Sequence, residues 1–238
     1  NVLYQYTVNV LDATKETLFS CVKAIKGLYQ SRGFVVKQAY GDNEFNCLKD
    51  QMINDLQITF HSVAKGAHQP NIERDNRVSK ERVRCILSAL PFKALPPRMI
   101  IELQLSVVFF LNYWCSSGGV SASIPPREII TGIKLDSKLH CKYCYGDYVL
   151  AHNNDTDNST NERAIDAIYL RPTGSANGGF YVFDLKTARL VHRNYATPAT
   201  MTQVVIDRVH EIANAQNAPI GITFGDFENK VTILDLDD

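Results

Sequence analysis

The first ninety residues alternate between strand and helix patterns, and this alternation constrains the fold most strongly. Predicted strands run from Val2 to Val10, from Phe34 to Tyr40 and from Leu56 to Val63. Apolar residues at helical spacing lie between them, and a longer helix is predicted from Asn71 to Leu90. Strands that alternate with helices favour a layered α/β fold. We therefore predict an α/β domain over residues 1–95.

The remainder of the chain changes character after three prolines between Pro91 and Pro97. The segment 96–137 has helical patterns and is predicted to be a connector. Short strand patterns separated by turn residues follow over residues 138–197, which favours a small β-barrel. We predict a last helix and an acidic tail over residues 198–238.

Composition restricts the class of protein without naming a partner. The chain has 238 residues, of which 45% are hydrophobic and 21% charged, with a formal net charge of zero. These values are ordinary for a globular protein with a sizeable core. The charge is uneven, however: residues 61–98 carry eight basic and three acidic side chains, whereas residues 225–238 carry one and five. A basic middle predicts a polyanionic partner, and an acidic end predicts a solvated linker or tail.

Cysteine usage and hydropathy indicate a cytosolic or nuclear setting. The six cysteines are irregularly spaced, which does not suggest a disulfide framework. The most apolar run, Met99 to Cys115, contains Glu102 and Gln104 and favours a buried helix over a membrane span. No membrane partner is therefore expected. The chain begins with Asn1, without a signal peptide and without Met, which predicts a fragment or a processed product.

Two acidic residues stand at positions suited to metal chemistry. Asp42 follows the predicted strand that ends near Tyr40, and Glu73 lies in the first turn of the predicted helix after Pro70. Carboxylates bind the hard cations Mg²⁺ and Mn²⁺, which stabilise charge during phosphodiester cleavage and transfer. Glu44 is a possible additional ligand. The alternative is that these acids are ordinary surface charges.

The helix that carries Glu73 also carries a stripe of basic residues. Its members are spaced three and four positions apart, which places them on one helix face; they are Arg74, Arg77, Lys80 and Arg84. Cations in such a stripe suit contacts with a DNA backbone. The alternative is a solvated helix face with no ligand.

Two motifs containing these acids resemble the integrase core of copia-type LTR retrotransposons. They are Asp42–Phe45 (DNEF) and Asn71–Arg77 (NIERDNR). Further segments resemble the same family in order and spacing: Leu95–Glu102, Phe109–Asn112, Ser123–Pro126, Thr131–Gly132, Leu170–Gly174 and Gly178–Tyr181. The resemblance covers most of the chain.

The resemblance implies a fold and a set of site residues. It implies a ribonuclease H-like core, truncated at its N-terminus, and a following SH3-like barrel that includes Tyr145–Tyr148. Asp42 would be the second acid of a D-D-E triad and Glu73 the third, both holding Mg²⁺ or Mn²⁺. The first acid is expected upstream of Asn1, with Asp12 as the only substitute in this chain.

The resemblance also implies an activity. The intact protein would be a polynucleotidyl transferase that processes 3′ ends of element DNA and joins them to target DNA, as a homo-oligomer, in the nucleus or in a cytoplasmic virus-like particle. This chain alone is expected to be inactive. One alternative is a non-catalytic nucleic-acid-binding or assembly module from a decayed or co-opted element. Another is an unrelated metal nuclease in which Asp12 is a ligand.

A zinc site is a weaker interpretation of the pattern from His140 to Cys144. Its spacing, His-Cys-x-x-Cys, supplies three possible ligands, but a structural zinc site needs four and there is no second cysteine pair. Buried or incidental thiols are therefore the favoured interpretation.

Overall fold

A computed structural model describes residues 2–10, 12, 14–62, 70–115, 118–153, 160, 162–218, 223–226 and 229–232. The chain divides into two compact units. Unit 1 comprises residues 1–77 and 111–132, and unit 2 comprises residues 78–110 and 133–238. Helices and strands occur in both, so the predicted mixed α/β class is confirmed at that level.

The elements of the first half of the chain are, in order, α1 (Lys15–Gln30), β1 (Gln38–Gly41), a 3-10 helix (Asn43–Leu48), α2 (Lys49–Asn54), β2 (Thr59–Ser62), α3 (Pro70–Ala89) and α4 (Pro97–Leu111). Those of the second half are α5 (Pro126–Thr131), α6 (Ser137–His140), β3 (Tyr148–His152), β4 (Ala164–Pro172), β5 (Phe180–Asp184), β6 (Leu190–Arg193), β7 (Ala196–Pro198), α7 (Gln203–Ala215), β8 (Thr223–Asp226) and β9 (Asn229–Thr232). Among the described residues, no helix is long and apolar enough to span a membrane.

Unit 1 is organised around a pair of parallel strands. β1 and β2 pair in register from Gln38 opposite Thr59 to Gly41 opposite Ser62. The 3-10 helix and α2 connect them, as parallel neighbours require a crossover. The apolar residues of this crossover and of β2 form the core of the unit; they are Leu48, Met52, Leu56, Ile58 and Phe60. The second and third predicted strands are therefore confirmed, although both are shorter than predicted.

The predicted strand from Val2 to Val10 is wrong. These residues form neither helix nor strand, and Leu3 has a φ of +52°. The backbone of Gln5 instead pairs with a side chain: its N–H donates to Oδ1 of Asn112, and its carbonyl accepts from Nδ2 of Asn112, both at 2.8 Å. A primary amide can satisfy one residue's donor and acceptor as a neighbouring strand would, so alternation alone does not distinguish the two arrangements.

Unit 2 contains a five-stranded antiparallel sheet in the order β6-β5-β4-β3-β7. The inward-facing side chains form its core; they are Tyr143, Val149, Ala151, Ala167, Tyr169, Phe180 and Val182. The rings of Tyr143, Tyr169 and Phe180 pack with centroids 5.3–5.5 Å apart. β3 to β6 lie inside the segment 138–197, for which the sequence predicts short strands, and α7 confirms the predicted last helix.

The sheet is open, and the predicted SH3-like barrel over residues 138–197 is a wrong prediction. β6 and β7 are its edges, and within the described residues no strand pairing joins them. β7 has only three residues and ends at Pro198, which has no N–H to donate to a further strand. Strand positions follow from local patterns, whereas closure depends on twist and register that the patterns do not encode. Beyond this sheet, β8 and β9 form a hairpin inside the segment predicted as a tail, and residues 233–238 lie outside the described part.

Candidate metal and nucleic-acid site

Asp42 is the first residue after β1 and lies in unit 1. It precedes the 3-10 helix in an extended conformation, with φ −69° and ψ 165°, and its carbonyl accepts from the N–H of Phe45 at 3.0 Å. Its side chain is exposed and makes no capping hydrogen bond. The carboxylate is therefore presented to solvent at the end of a strand.

Close packing at Gly41 fixes the end of the strand that carries Asp42. A Cβ at position 41 would lie 3.1 Å from Cε2 of Phe60 and 3.5 Å from Cδ2 of Phe45. Phe60 is only 4% exposed and has little room to move. The absence of a side chain at Gly41 thus lets the strand lie against the core immediately before the acid.

Glu73 is exposed in the first turn of α3. A carboxylate there is favoured by the positive end of the helix dipole. It stands four residues before Arg77, a spacing at which side chains on a helix meet. Residues 63–69, between β2 and α3, lie outside the described part of the chain.

The parallel pairing relates the two acids. In parallel strands the carboxyl ends lie at the same edge, and here Gly41 is opposite Ser62. Asp42 directly follows one of these ends, and the helix that carries Glu73 follows the other. Ligand sites in α/β sheets lie at this edge. Asp42 therefore lies at the edge at which such a site is expected, whereas Glu73 is separated from the end of β2 by residues 63–69.

The basic stripe on α3 is solvent-exposed. Arg74, Arg77, Lys80 and Arg84 are all exposed. The buried residues of the helix lie on another face, where Val83 is 1% and Leu87 7% exposed. The helix has five basic and three acidic side chains, so its net charge is only +2. The predicted placement of the stripe is confirmed, but its net charge is modest.

Mg²⁺ and Mn²⁺ need several oxygen ligands around one point. Throughout the described residues, no three or more His, Cys, Asp or Glu side chains are grouped so as to hold a metal. Two carboxylates are nevertheless sufficient where substrate phosphates and waters complete the octahedron, as is common for Mg²⁺. Asp42 and Glu73 have the oxygen donors that these cations prefer, and a metal held by them would need phosphates and waters as its further ligands.

Asp12 does not join these acids. Its Oδ1 accepts hydrogen bonds from Oγ1 of Thr17 at 2.8 Å and from Oγ1 of Thr14 at 3.2 Å. These bonds, that from Thr17 first, lower the pKa of the Asp12 carboxyl. Thr14, and not Asp12, is the N-cap of α1. Asp12 therefore stabilises the start of a helix, which argues against the metal-nuclease alternative.

The zinc interpretation of His140 is not supported either. His140 is 1% exposed, and Nδ1 lies 3.0 Å from the backbone N of Asp136, while Nε2 lies 3.0 Å from the carbonyl of Ser175. Because a carbonyl only accepts, Nε2 donates to Ser175, and Nδ1 lies 3.0 Å from both the backbone N and the carbonyl O of Asp136. Both ring nitrogens are thus used by the backbone. Cys141 and Cys144 are free and exposed.

Unit 2 has a groove of about 830 Å³, lined mostly by apolar and aromatic side chains from the C-terminal part of α3, from α4 and from residues 141–148. Two of its polar side chains, Asp147 and Tyr145, make hydrogen bonds to the backbone. Asp147 Oδ2 accepts from the Cys144 N–H at 2.8 Å, and the Tyr145 hydroxyl donates to the Met99 carbonyl at 2.6 Å.

Sequence analysis missed one exposed feature beside Asp42, the stacked rings of Tyr40 and His61. The two rings meet because β1 and β2 pair in a register that sets Tyr40 opposite His61, 21 positions later in the chain. The sequence contained one indication of this stack: each of the two predicted strands has an aromatic ring near its carboxyl end, Tyr40 in one and His61 in the other.

Comparison with known proteins gives no independent assignment. No protein-family model matches the chain, and no curated protein matches it. Function must therefore be inferred from the residues of unit 1 and α3.

Proposed function

We propose that the chain is part of a copia-type retrotransposon integrase with a ribonuclease H-like core and acts in DNA integration. In this proposal α3 binds the DNA backbone, and Asp42 and Glu73 hold Mg²⁺ or Mn²⁺. The motifs DNEF and NIERDNR support the family. The observation that carries the site is that Asp42 and α3 follow the carboxyl ends of the two paired parallel strands.

The chemistry divides between the metal and the side chains. When bound, the metal supplies charge stabilisation to the attacking and leaving oxygens of a phosphodiester. Asp42 and Glu73 provide oxygen ligands. Arg74 and Arg77, which follow Glu73 on the same helix, neutralise the phosphates beside the reacting one. Lys80 and Arg84 extend this contact along the backbone.

The intact protein then works on element ends and target DNA, as a homo-oligomer, in the nucleus or in a cytoplasmic virus-like particle. The alternative function is a non-catalytic nucleic-acid-binding or assembly module. It is favoured by one finding: within the described part of the chain, no three or more His, Cys, Asp or Glu side chains are grouped so as to hold a metal. Both functions require DNA binding. Glu73→Gln should abolish metal-dependent activity under the first function and should leave DNA binding unchanged under the second.

DNA binding along α3 can be tested by its salt dependence. Each lost phosphate contact reduces the slope of log K against log salt by about 0.9 on duplex DNA. We expect the triple variant Arg74→Ala, Arg77→Ala, Arg84→Ala to lose about two to three units of slope. Arg82→Ala is the matched control, since it removes an exposed arginine two residues from Arg84, on another side of the helix. An unchanged slope in the triple variant would contradict the proposal.

A further inference from the structure

Tyr40 and His61 stack across the parallel strands of unit 1. They are the third of four register pairs, one pair before the carboxyl edge. Their ring centroids lie 5.0 Å apart and the ring planes differ by 21°. This is within the range of offset stacking between aromatic rings.

The stack lies on the exposed face of the two-stranded sheet. Tyr40 is 58% exposed and His61 is also exposed, whereas Phe60, which points to the opposite face, is 4% exposed. The Tyr40 hydroxyl lies 3.3 Å from Oε1 of Gln38, as a donor along its own strand. The Tyr40 ring is therefore supported on one face by His61 and is not buried by the described residues.

The position of the stack relates it to the proposed metal site. Tyr40 precedes Asp42 by two residues, which span about 6.6 Å in a strand. One strand of a DNA duplex rises about 3.4 Å along the helix axis per nucleotide, so this separation is within the span of two nucleotides. A nucleotide next to a phosphate held at Asp42 thus has its base within reach of the Tyr40 ring.

The chemistry of the stack selects the ligand. Every nucleobase has a flat π-face, and bases stack on aromatic side chains without hydrogen-bond readout. Bases inside a duplex are already stacked on their neighbours and do not offer this face. The ligand class is therefore unpaired nucleic acid.

We infer that Tyr40, supported by His61, is a stacking platform for an unpaired base of a DNA strand whose phosphate lies at Asp42. The inference rests on the proposed function and names the form of DNA that this site takes: a single-stranded or frayed end. Arg74 and Arg77 belong to the same unit and carry the charge that complements a nucleic-acid strand.

The test uses the complete chain and three probes of equal length: a labelled twelve-nucleotide thymidine strand, an all-abasic strand and a duplex. Tyr40→Ala is expected to weaken binding of the thymidine strand about 5- to 150-fold. It should leave the abasic strand, the duplex and the salt slope unchanged. Tyr40→Phe should bind like wild type, because the ring remains. Tyr195→Ala is the matched control, since Tyr195 is 72% exposed and lies in unit 2.

A spectroscopic measurement reports the contact itself. Trp114 is the single tryptophan and is 71% exposed, so Trp114→Phe provides a background free of tryptophan emission. In that background, Tyr40→Trp should show emission that is quenched by the thymidine strand and not by the abasic strand. Equal quenching by both strands would overturn the inference.

The outcomes separate this inference from the proposed function. If the α3 triple variant lowers the salt slope while Tyr40→Ala binds the thymidine strand like wild type, the platform is refuted and the DNA site stands. If Tyr40→Ala weakens thymidine binding while the triple variant has no effect, the platform stands and the α3 contact is refuted. If Tyr40→Ala instead converts a dimer to a monomer, the exposed face is an interface between two copies and the platform is refuted.

Discussion

The Nε atom of Arg171 lies 2.6 Å from Oε2 of Glu102, and Glu102 is completely buried. This contact joins β4 to α4 within unit 2. The guanidinium of Arg171 also lies over the Tyr181 ring, 4.5 Å from its centroid. Both residues belong to segments on which the proposed relation to the integrase family rests, Leu95–Glu102 and Leu170–Gly174. Two of the segments that carry the resemblance are therefore linked by a buried ion pair.

A second arginine, Arg98, also lies close to the Glu102 carboxylate, but their contact does not have the geometry of a hydrogen bond. Arg98 has Nη2 3.0 Å from Oε1 of Glu102, close enough for an ion pair. The same Oε1 has no hydrogen-bond partner, and neither has the buried Nε of Arg98. We attribute an electrostatic contact to Arg98 and the hydrogen-bonded contact to Arg171, because only the latter satisfies the geometry of a hydrogen bond.

Removing Arg171 is expected to destabilise the fold strongly. Arg171→Ala leaves the Glu102 carboxylate buried with only the imperfect Arg98 contact, which should cost about 3–5 kcal/mol. Urea unfolding measures this cost. Glu211→Ala is the control, since it removes only an exposed ion pair with Arg208 and should change stability by less than about 1 kcal/mol. Similar losses in the two variants would contradict this account of Glu102.

Replacing both charged partners should restore much of that loss. A Glu102→Met, Arg171→Met double variant removes the uncompensated charge and keeps apolar volume at both positions. Buried ion pairs replaced in this way often become neutral or stabilising. We expect the double variant to be more stable than Arg171→Ala by at least about 2 kcal/mol in the same urea measurement. A double variant that is less stable than Arg171→Ala would show that the pair itself is needed.

Ionisation of the Tyr148 phenol is expected to lower the free energy of unfolding at alkaline pH. Partial burial, the hydrogen bond it donates to Asp166 and the negative charge of Asp166 raise the pKa of Tyr148 to about 12. Below pH 10, the phenol is protonated in both folded and unfolded chains, so its contribution is fully present. Between about pH 10 and 12 the unfolded chain ionises while the folded one does not, and stability falls.

Tyr148→Phe removes this contribution and should lose less stability than wild type between pH 10 and 12, as measured by urea midpoints. Asp166→Asn should lower the Tyr148 pKa, which is seen as earlier phenolate absorbance near 295 nm. The Tyr148→Phe difference spectrum isolates this phenol from the other tyrosines. If the urea midpoints of wild type and Tyr148→Phe fall equally between pH 10 and 12, the coupling to Asp166 is refuted.

Gly41 is expected to tolerate no side chain. Gly41→Ala places a Cβ 3.1 Å from the Phe60 ring and should cost about 1–3 kcal/mol through overpacking. Gly27 in α1 is the matched control, because a Cβ there meets no atom within 4 Å. Gly27→Ala should stabilise the chain by about 0.5–1 kcal/mol through helix propensity. Thermal unfolding of both variants checks the opposite signs, and a neutral Gly41→Ala would contradict the packing described before Asp42.

Local patterns predicted those parts of the fold that local physics decides. Pro70 and the apolar spacing to Leu87 predicted α3, and Gly132 ends α5 in a left-handed conformation as a C-terminal glycine does. The segment from Val2 to Val10 shows the limit. Its alternation fits a strand, but the side chain of Asn112, more than a hundred residues away, supplies its partner.

The candidate site divides in the same way. Exposure of the α3 cations followed from helical spacing. Helical spacing predicts Ile72 on the same face as the buried Val83, but Ile72 is 49% exposed, because the first turn of α3 precedes the packed part of the helix. The Tyr40–His61 stack and the Glu102–Arg171 pair depend on contacts between distant segments, which no spacing rule contains.

The proposed function requires that Asp42 and Glu73 together hold a divalent metal in the presence of DNA. Mn²⁺ titrations in the presence of DNA, followed by electron paramagnetic resonance of the free ion, test it directly. We expect Asp42→Asn and Glu73→Gln each to weaken DNA-dependent Mn²⁺ binding by at least about tenfold. Asp12→Asn, whose carboxylate is engaged by Thr14 and Thr17, should bind like wild type. Unchanged Mn²⁺ affinity in both the Asp42 and Glu73 variants, or equal weakening in the Asp12 variant, would contradict it.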